Sequence, residues 1–376
     1  MCRRLGVFAA VLATVAGVCV PTASAARGML VGLTDEAALY EDPAVIFPLL
    51  QEARPQVLRL NLYWGGPRGV ATRRPARATD PADPAYDWTL YDRTVNYAAQ
   101  HDIRILFTIF GTPEWANDGA GRNVPPKSYA DLNNFAYAAA RRYSGLYPGA
   151  DGRPLPPVKR WLAWNEPNYP LGLKEQFRRV NGKWVVQSAV DYARICTAIY
   201  NGIHRTLIKG EKVACGATGP RGNNLPRAAR STVSPVAFMR ALKAAGLERF
   251  DAYAHHPHYG RRTESPTTKP SPNAVTLANI DVLVRELTRL WGPKRVWITE
   301  YGYQTNPPDR ALGVTWAQQA AYLKQAFAIA RRHPRIDMMV WFLLRDEPSL
   351  GGWQSGLLTA SGQRKPAFAA FRTLPR

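Results

Sequence analysis

The sequence predicts an α/β fold of the (β/α)8 barrel type, a TIM barrel forming a single catalytic domain over residues 26–376. Three observations point there. Eight short apolar or alternating runs are each followed by a segment of helical pattern. The runs carry the aromatic and β-branched side chains of parallel strands covered on both faces. Neither the Gly-x-Gly-x-x-Gly turn of an open doubly wound sheet nor an internal repeat or low-complexity linker interrupts the pattern. The 376 residues and 46% hydrophobic content suffice for one large buried core, since such barrels commonly exceed about 250 residues.

In order, strands are expected at residues 29–33, 57–64, 103–110, 159–164, 212–218, 250–256, 295–299 and 338–343. Residues 57–64 alternate cleanly, and those at 103–110 and 338–343 are almost wholly apolar. The intervening helices are expected at 44–52, 87–100, 129–143, 189–207, 235–245, 274–290 and 316–332, with a last one at 366–371. Ser234 followed by Pro235 reads as an N-cap and first helical position. A polar loop rich in Pro and Arg runs from the second strand to Asp83, long enough to be functional or mobile. Residues between the fourth strand and its helix, with Tyr169, Phe177 and Trp184, read as a loop.

The first 25 residues read as an export signal. Arg3 and Arg4 precede an apolar run from Leu5 to Val20, and Ala23-Ser24-Ala25 suits a signal peptidase. The run is too short for an anchor helix, and Cys19 lies inside it rather than after the cleavage site, which excludes a lipoprotein. A secreted, extracellular protein with no membrane attachment after cleavage is the expectation. Cys196 and Cys215 would remain, either paired in an oxidising compartment or as two separate buried thiols.

Formal net charge is +21, and loss of Arg3 and Arg4 would leave +19. Such a field favours anionic partners, an acidic glycan among them. The arginines are scattered, with no basic arm and no phosphate-binding loop, so nucleic acid is not expected as a partner.

Chemistry concentrates where two strands end. Trp161-Leu162-Ala163-Trp164 runs into Asn165-Glu166-Pro167-Asn168, and Arg295-Val296-Trp297-Ile298-Thr299 runs into Glu300-Tyr301-Gly302. At the C-terminal mouth of a barrel, the fourth and seventh strands can set two carboxylates face to face. Cleaving a glycosidic bond needs that pair, one as acid and one as nucleophile, with carboxyls about 5–5.5 Å apart when configuration is retained.

These motifs resemble those of clan A glycoside hydrolases. Trp164-Asn165-Glu166-Pro167 is similar to their acid/base motif, and Trp297 to Gly302 to their nucleophile strand. The exit Gly111-Thr112-Pro113-Glu114-Trp115-Ala116 is similar to that of glycoside hydrolase family 39. The resemblance implies a retaining barrel enzyme acting on a β-type or α-L-arabinosyl bond of a carbohydrate, with Glu166 as acid/base, Glu300 as nucleophile and no cofactor. It further implies that Arg59 lies under the nucleophile, that Asn165 bonds the sugar 2-hydroxyl and that Trp341 is a stacking platform. The clan often ends its sixth strand in His-x-Tyr, whereas His255-His256-Pro257-His258-Tyr259 stands here, so either His258 or Tyr259 takes the tyrosine's place beside Glu300. His256, His258 and Tyr259 are therefore expected to face substrate, as are Trp64 and Trp115, whose flat faces suit sugar stacking.

Two rival readings remain open. One is a barrel that binds carbohydrate or cell wall without turnover; the other is a metal-dependent hydrolase with His256 and His258 as ligands. Asp346 and Glu347, after the eighth strand, read as solvated loop charges, with rim or substrate-binding acids as the other reading.

Overall fold

The structure, a computed structural model, describes residues 28–376; the expected export signal lies outside the described residues. The chain begins with β1 (Leu30–Thr34), α1 (Ala37–Tyr40), α2 (Pro43–Ala53), β2 (Val57–Tyr63) and α3 (Thr89–Gln100). Then come β3 (Arg104–Phe110), α4 (Glu114–Asn117), α5 (Tyr129–Arg142), β4 (Arg160–Ala163), and a hairpin of β5 (Arg178–Val180) and β6 (Lys183–Val185). The remainder is α6 (Gln187–His204), β7 (Lys212–Thr218), α7 (Pro235–Ala244), β8 (Ala252–His255), α8 (Ile280–Trp291), β9 (Arg295–Tyr301), α9 (Trp316–Arg332), β10 (Ile336–Phe342) and α10 (Pro366–Arg372).

Eight strands close a parallel barrel in the order β1, β10, β9, β8, β7, β4, β3, β2. This is the expected TIM barrel, and its two apolar layers follow from the strand period of two. Val57, Leu106, Leu162, Ala214, Ala252, Trp297, Met338 and Val340 pack together inside it. Their strand neighbours Leu58, Phe107, Trp161, Val213, Ile298 and Met339 pack outward, in the same cluster as Phe135, Ile199 and Phe327 of the helices. Side chains thus fill the barrel, and the open space lies where the strands leave it.

Several local features differ from expectation. Residues 274–290 divide into a 3₁₀ turn (Leu277–Asn279) and α8. Ser234 does precede α7, with Pro235 inside its first turn, but its hydroxyl makes no capping bond and accepts instead from Asn224 Nδ2 at 3.0 Å. The hairpin stands where the sequence pattern predicts loop, although Asn181-Gly182 between two short runs is a strong turn signal. Both turn residues have positive φ, +48° and +78°, as a type I′ turn requires.

The long loop after β2 is tied down. Val70 and Ala71 donate to the carbonyls of Tyr63 and Trp64, and Trp88 Nε1 donates to Pro81 O. Cys196 and Cys215 form a disulfide, Cα to Cα 6.0 Å, joining α6 to β7.

Candidate active site

Arg59, Asn61 and Tyr63 share one parity on β2. Because β2 pairs with β3 without a register shift, and Val57 of the same parity faces the interior, all three point inward. Arg59 is nearly buried, and its guanidinium has three partners: Nε donates to Thr108 Oγ1 at 3.0 Å, Nη2 to Asn165 Oδ1 at 2.8 Å, and Nη1 to Glu300 Oε1. One side chain therefore fixes the exits of β4 and β9 from across the barrel.

Strict alternation would turn Glu300 the wrong way. Val296 and Ile298 share its parity and face the helices. A register shift intervenes, since Ile298 pairs with Met339 but Tyr301 with Trp341. Three steps on β9 match two on β10, which is a β-bulge. The extra residue lets Thr299 and Glu300 both point inward before Tyr301 turns out.

Glu166 is placed by a different device. Beyond β4, Trp164 N donates to Ile109 O and Glu166 N to Ala217 O, both at 2.9 Å. Trp164 and Glu166 have φ of +64° and +40°, a region costly for side chains other than glycine's and common at functional sites. The following loop folds back so closely that a Cβ on Gly172 would meet Glu166 O at 2.2 Å and Asn165 O at 2.3 Å. Buried Asn168 staples this loop to the exit of β7, accepting from Gly219 N at 2.8 Å and donating to Val233 O at 2.9 Å. Neither Gly172 nor Asn168 was singled out from the sequence, though Asn168 sits beside the motif.

The two carboxylates converge. One oxygen of each, with a ring nitrogen of His256, lies within 4.8 Å of the others. His256 Nδ1 is 3.1 Å from Glu166 Oε1 and 3.6 Å from Glu300 Oε2. Two acceptors on that side call for a proton on Nδ1, and Nε2 lies 2.9 Å from the Thr299 hydroxyl. His258 Nε2 also approaches Glu300 Oε2, at 3.6 Å. Burial by itself would push the Glu300 carboxyl up, but the positive field of His256 and Arg59, with the contact of His258, holds it far below the usual carboxylate range. A quarter of the Glu166 side chain remains exposed, against 12% for Glu300, so Glu166 is the better placed to exchange a proton with solvent.

Other expected substrate residues sit elsewhere than foreseen. His256 is fully buried and braces the carboxylates. Of the two candidates beside the nucleophile, His258 faces it, while the Tyr259 hydroxyl accepts from Gln304 N at 2.9 Å and donates to Leu312 O at 3.1 Å. Trp341 is buried on the outer face of β10; its inward neighbour Phe342 holds the position at the mouth. Trp64 is buried too, packed against Phe135 and edge-on to Trp115. Trp115 donates its Nε1–H to Ala71 O at 2.8 Å beneath the Arg74 guanidinium, so both tryptophans hold the loop after β2. Asp346 is no rim acid, being buried in an ion pair with Lys365.

Phe342, half-exposed Trp353, Leu312, Tyr259 and Glu166 line a cavity of about 200 Å³ at the mouth. The Glu166, His256 and Glu300 donors could in principle grip a cation. Two features oppose it: the Arg59 guanidinium occupies Glu300 Oε1, and Nδ1 of His256 would have to lose the proton that both carboxylates attract.

No protein-family model matches the chain, and no curated protein matches it by sequence. Solved structures do match by shape. A family 39 glycoside hydrolase from the gut symbiont Bacteroides cellulosilyticus WH2 aligns over 92% of this chain with a TM-score of 0.61 at 18% identity, and this chain spans 63% of its length. A glucosidase from Croceicoccus marinus aligns over 93% with a TM-score of 0.65 at 15% identity, covering 67% of that protein. A family 1 β-glucosidase from Thermotoga maritima aligns over 92% with a TM-score of 0.56 at 11% identity, covering 96% of it. At such identities the likeness is one of fold: the chain shares its (β/α)8 barrel with these glycoside hydrolases.

Proposed function

We propose that the chain is a retaining glycoside hydrolase acting by double displacement on a β-type or α-L-arabinosyl bond. The observation that carries the reading is the meeting of Glu166 and Glu300 oxygens within 4.8 Å. That suits a direct carboxylate attack, for which about 5–5.5 Å between carboxyls is usual, better than the about 6.5–9.5 Å of an inverting site.

In the first step the ionised Glu300 carboxylate attacks the anomeric carbon. The bond to the leaving oxygen breaks as Glu166 gives that oxygen its proton, and a glycosyl ester forms on Glu300. In the second, Glu166 takes a proton from water, whose oxygen attacks the same carbon and releases Glu300 with configuration kept. Arg59 and His258 keep Glu300 ionised until attack, and Asn165, oriented by Arg59, stands where a sugar hydroxyl would meet it.

The neighbours of known structure, a β-glucosidase among them, support a carbohydrate substrate. The disulfide supports an oxidising compartment, in keeping with secretion after removal of residues 1–25.

Reducing-sugar release from a broad glycan panel tests the reading, with wild type, Glu166→Gln and Glu300→Gln side by side. Both variants should lose activity by several orders of magnitude, and azide should restore turnover of activated substrates to Glu166→Gln alone. Variants as active as an active wild type would remove the pair from the chemistry, whereas a wild type inert on every glycan it binds would favour the non-catalytic reading.

A further inference from the structure

The mouth holds a second cavity on the other side of the carboxylate pair. The exits of β1, β2 and β3 enclose about 320 Å³ bounded by Glu36, Tyr40, Tyr63, Arg68 and Arg122. It opens along β2 beyond the nucleophile's partner: Asn61 and Tyr63 follow Arg59 on the inward face of β2, each two residues nearer the mouth at about 3.3 Å per residue. Glu36 faces them, accepting from the Tyr63 hydroxyl at 3.0 Å and from Asn61 Nδ2.

The catalytic reading gives the cleft a direction. Glu166 lines the cavity at Trp353 and Leu312 and is absent from this one. Because the acid must reach the leaving oxygen, the Trp353 side takes the leaving group. The Glu36 side then takes the sugar transferred to Glu300, or the unit attached to it.

Charge distinguishes this second cavity. Glu36 is its one carboxylate and is engaged by Asn61 and Tyr63. Arg68 and Arg122 are exposed, and neither forms an ion pair among the described residues. Arg68 is nonetheless held in place, its guanidinium 3.7 Å from the Tyr40 ring centroid. Arg122 is anchored through its carbonyl, which accepts from Thr112 N at 2.9 Å, with its guanidinium 5.8 Å from the Phe110 ring centroid. Arg68 lies within the field of Glu36, yet two planar cations without an ion pair lining one cavity suit a carboxylate, which a guanidinium can grip through two parallel bonds.

We infer that the Glu36 cavity selects a uronic acid on the sugar side of the scissile bond through Arg68 and Arg122. The inference rests on the glycosidase reading and sharpens its substrate class.

The test compares kcat/KM for aryl β-glucuronides and β-galacturonides with that for the corresponding neutral glucosides and galactosides, and adds a 6-sulfated glucoside to separate a carboxylate preference from a general anion preference. Wild type should favour a uronide. Arg68→Gln and Arg122→Gln should each lower the uronide-to-neutral ratio about tenfold, mainly through KM, the loss of one charge-assisted pair. Arg332→Gln, which removes the same charge from exposed α9 surface, should leave the ratio unchanged.

A wild-type preference for neutral or sulfated sugars overturns the inference, as does a ratio that the pocket variants leave unmoved or that Arg332→Gln lowers equally. Should no glycoside be cleaved, the catalytic reading fails separately. Calorimetric titration with oligouronides and neutral oligosaccharides then decides the site: uronide binding that Arg68→Gln abolishes upholds it, and equal or absent binding of both overturns it.

Discussion

His256 Nδ1 lies 3.1 Å from Glu166 Oε1, and the same nitrogen is 3.6 Å from Glu300 Oε2. A single buried imidazole therefore braces two carboxylates that arrive from strands three places apart in the barrel. Without it they would repel each other across a short gap. Since substrate cannot touch a fully buried ring, His256→Ala should lower kcat by about a hundredfold, in the range of a lost preorganised donor, and leave KM nearly unaltered. Steady-state kinetics with a thermal melt check this; a loss confined to KM would make His256 a substrate contact after all.

Arg59 shares with His256 and His258 the task of keeping the nucleophile charged. Glu300 is held below its ordinary range against the upward push of burial. A carboxyl lowered on folding contributes stability that is present above its unfolded value, about 4.3, and lost only as pH falls through the lower folded value. Wild-type activity should therefore show no limb from Glu300 between about pH 4 and 5. In Arg59→Met one of the groups that oppose burial is lost, and an acidic limb in kcat/KM should move up toward the ordinary carboxylate range. Arg59→Lys, which keeps the charge but not the fork, should move it less and still lose kcat. A pH profile unchanged in Arg59→Met would sink this account.

Glu166 depends on a backbone that only glycine permits at one point. Any Cβ on Gly172 would press on the carbonyls of Asn165 and Glu166, so Gly172→Ala must displace the loop that aims the acid. We expect a stability loss of about 2 kcal/mol or more, as for other forced backbone shifts. Activity should fall well beyond what that loss explains. Denaturant unfolding and kcat, measured on the same preparation, separate the two effects.

The strands, their order and the strand-end position of both glutamates were legible because apolar period and breaker residues are local properties. Arg59 was legible through the resemblance of its strand, and the alternating period there could have added Asn61 and Tyr63. The facing of Glu300 was not, because a bulge is set by register against β10 and leaves no mark on β9 alone. Parity would have corrected one choice: Trp341 follows inward Val340 and so faces the helices, while Phe342 comes back to the mouth. His256 was read as a substrate contact because sequence shows a histidine's chemistry without its depth. The hairpin at Asn181-Gly182 escaped for a different reason, lying outside the strand-helix rhythm that organised the rest.

The disulfide lies close beneath the acid. Cys215 is two residues before Ala217, whose carbonyl accepts from Glu166 N, and Cys196 is on α6, whose Tyr192 hydroxyl bridges Ala163 O and Gly216 N at 2.7 Å each. Both cysteines are fully buried, so a reductant should not reach them in the native protein. A bond across 19 residues of chain stabilises by about 3 kcal/mol, chiefly through the unfolded state. The reduced protein should therefore melt several degrees lower, and the oxidised one, prepared from residue 26 onward so that Cys2 and Cys19 are absent and unfolded in an alkylating agent without reductant, should take up no label. Two labels under those conditions would mean that the thiols are separate in the isolated protein, and would remove the support that the bond gives to export.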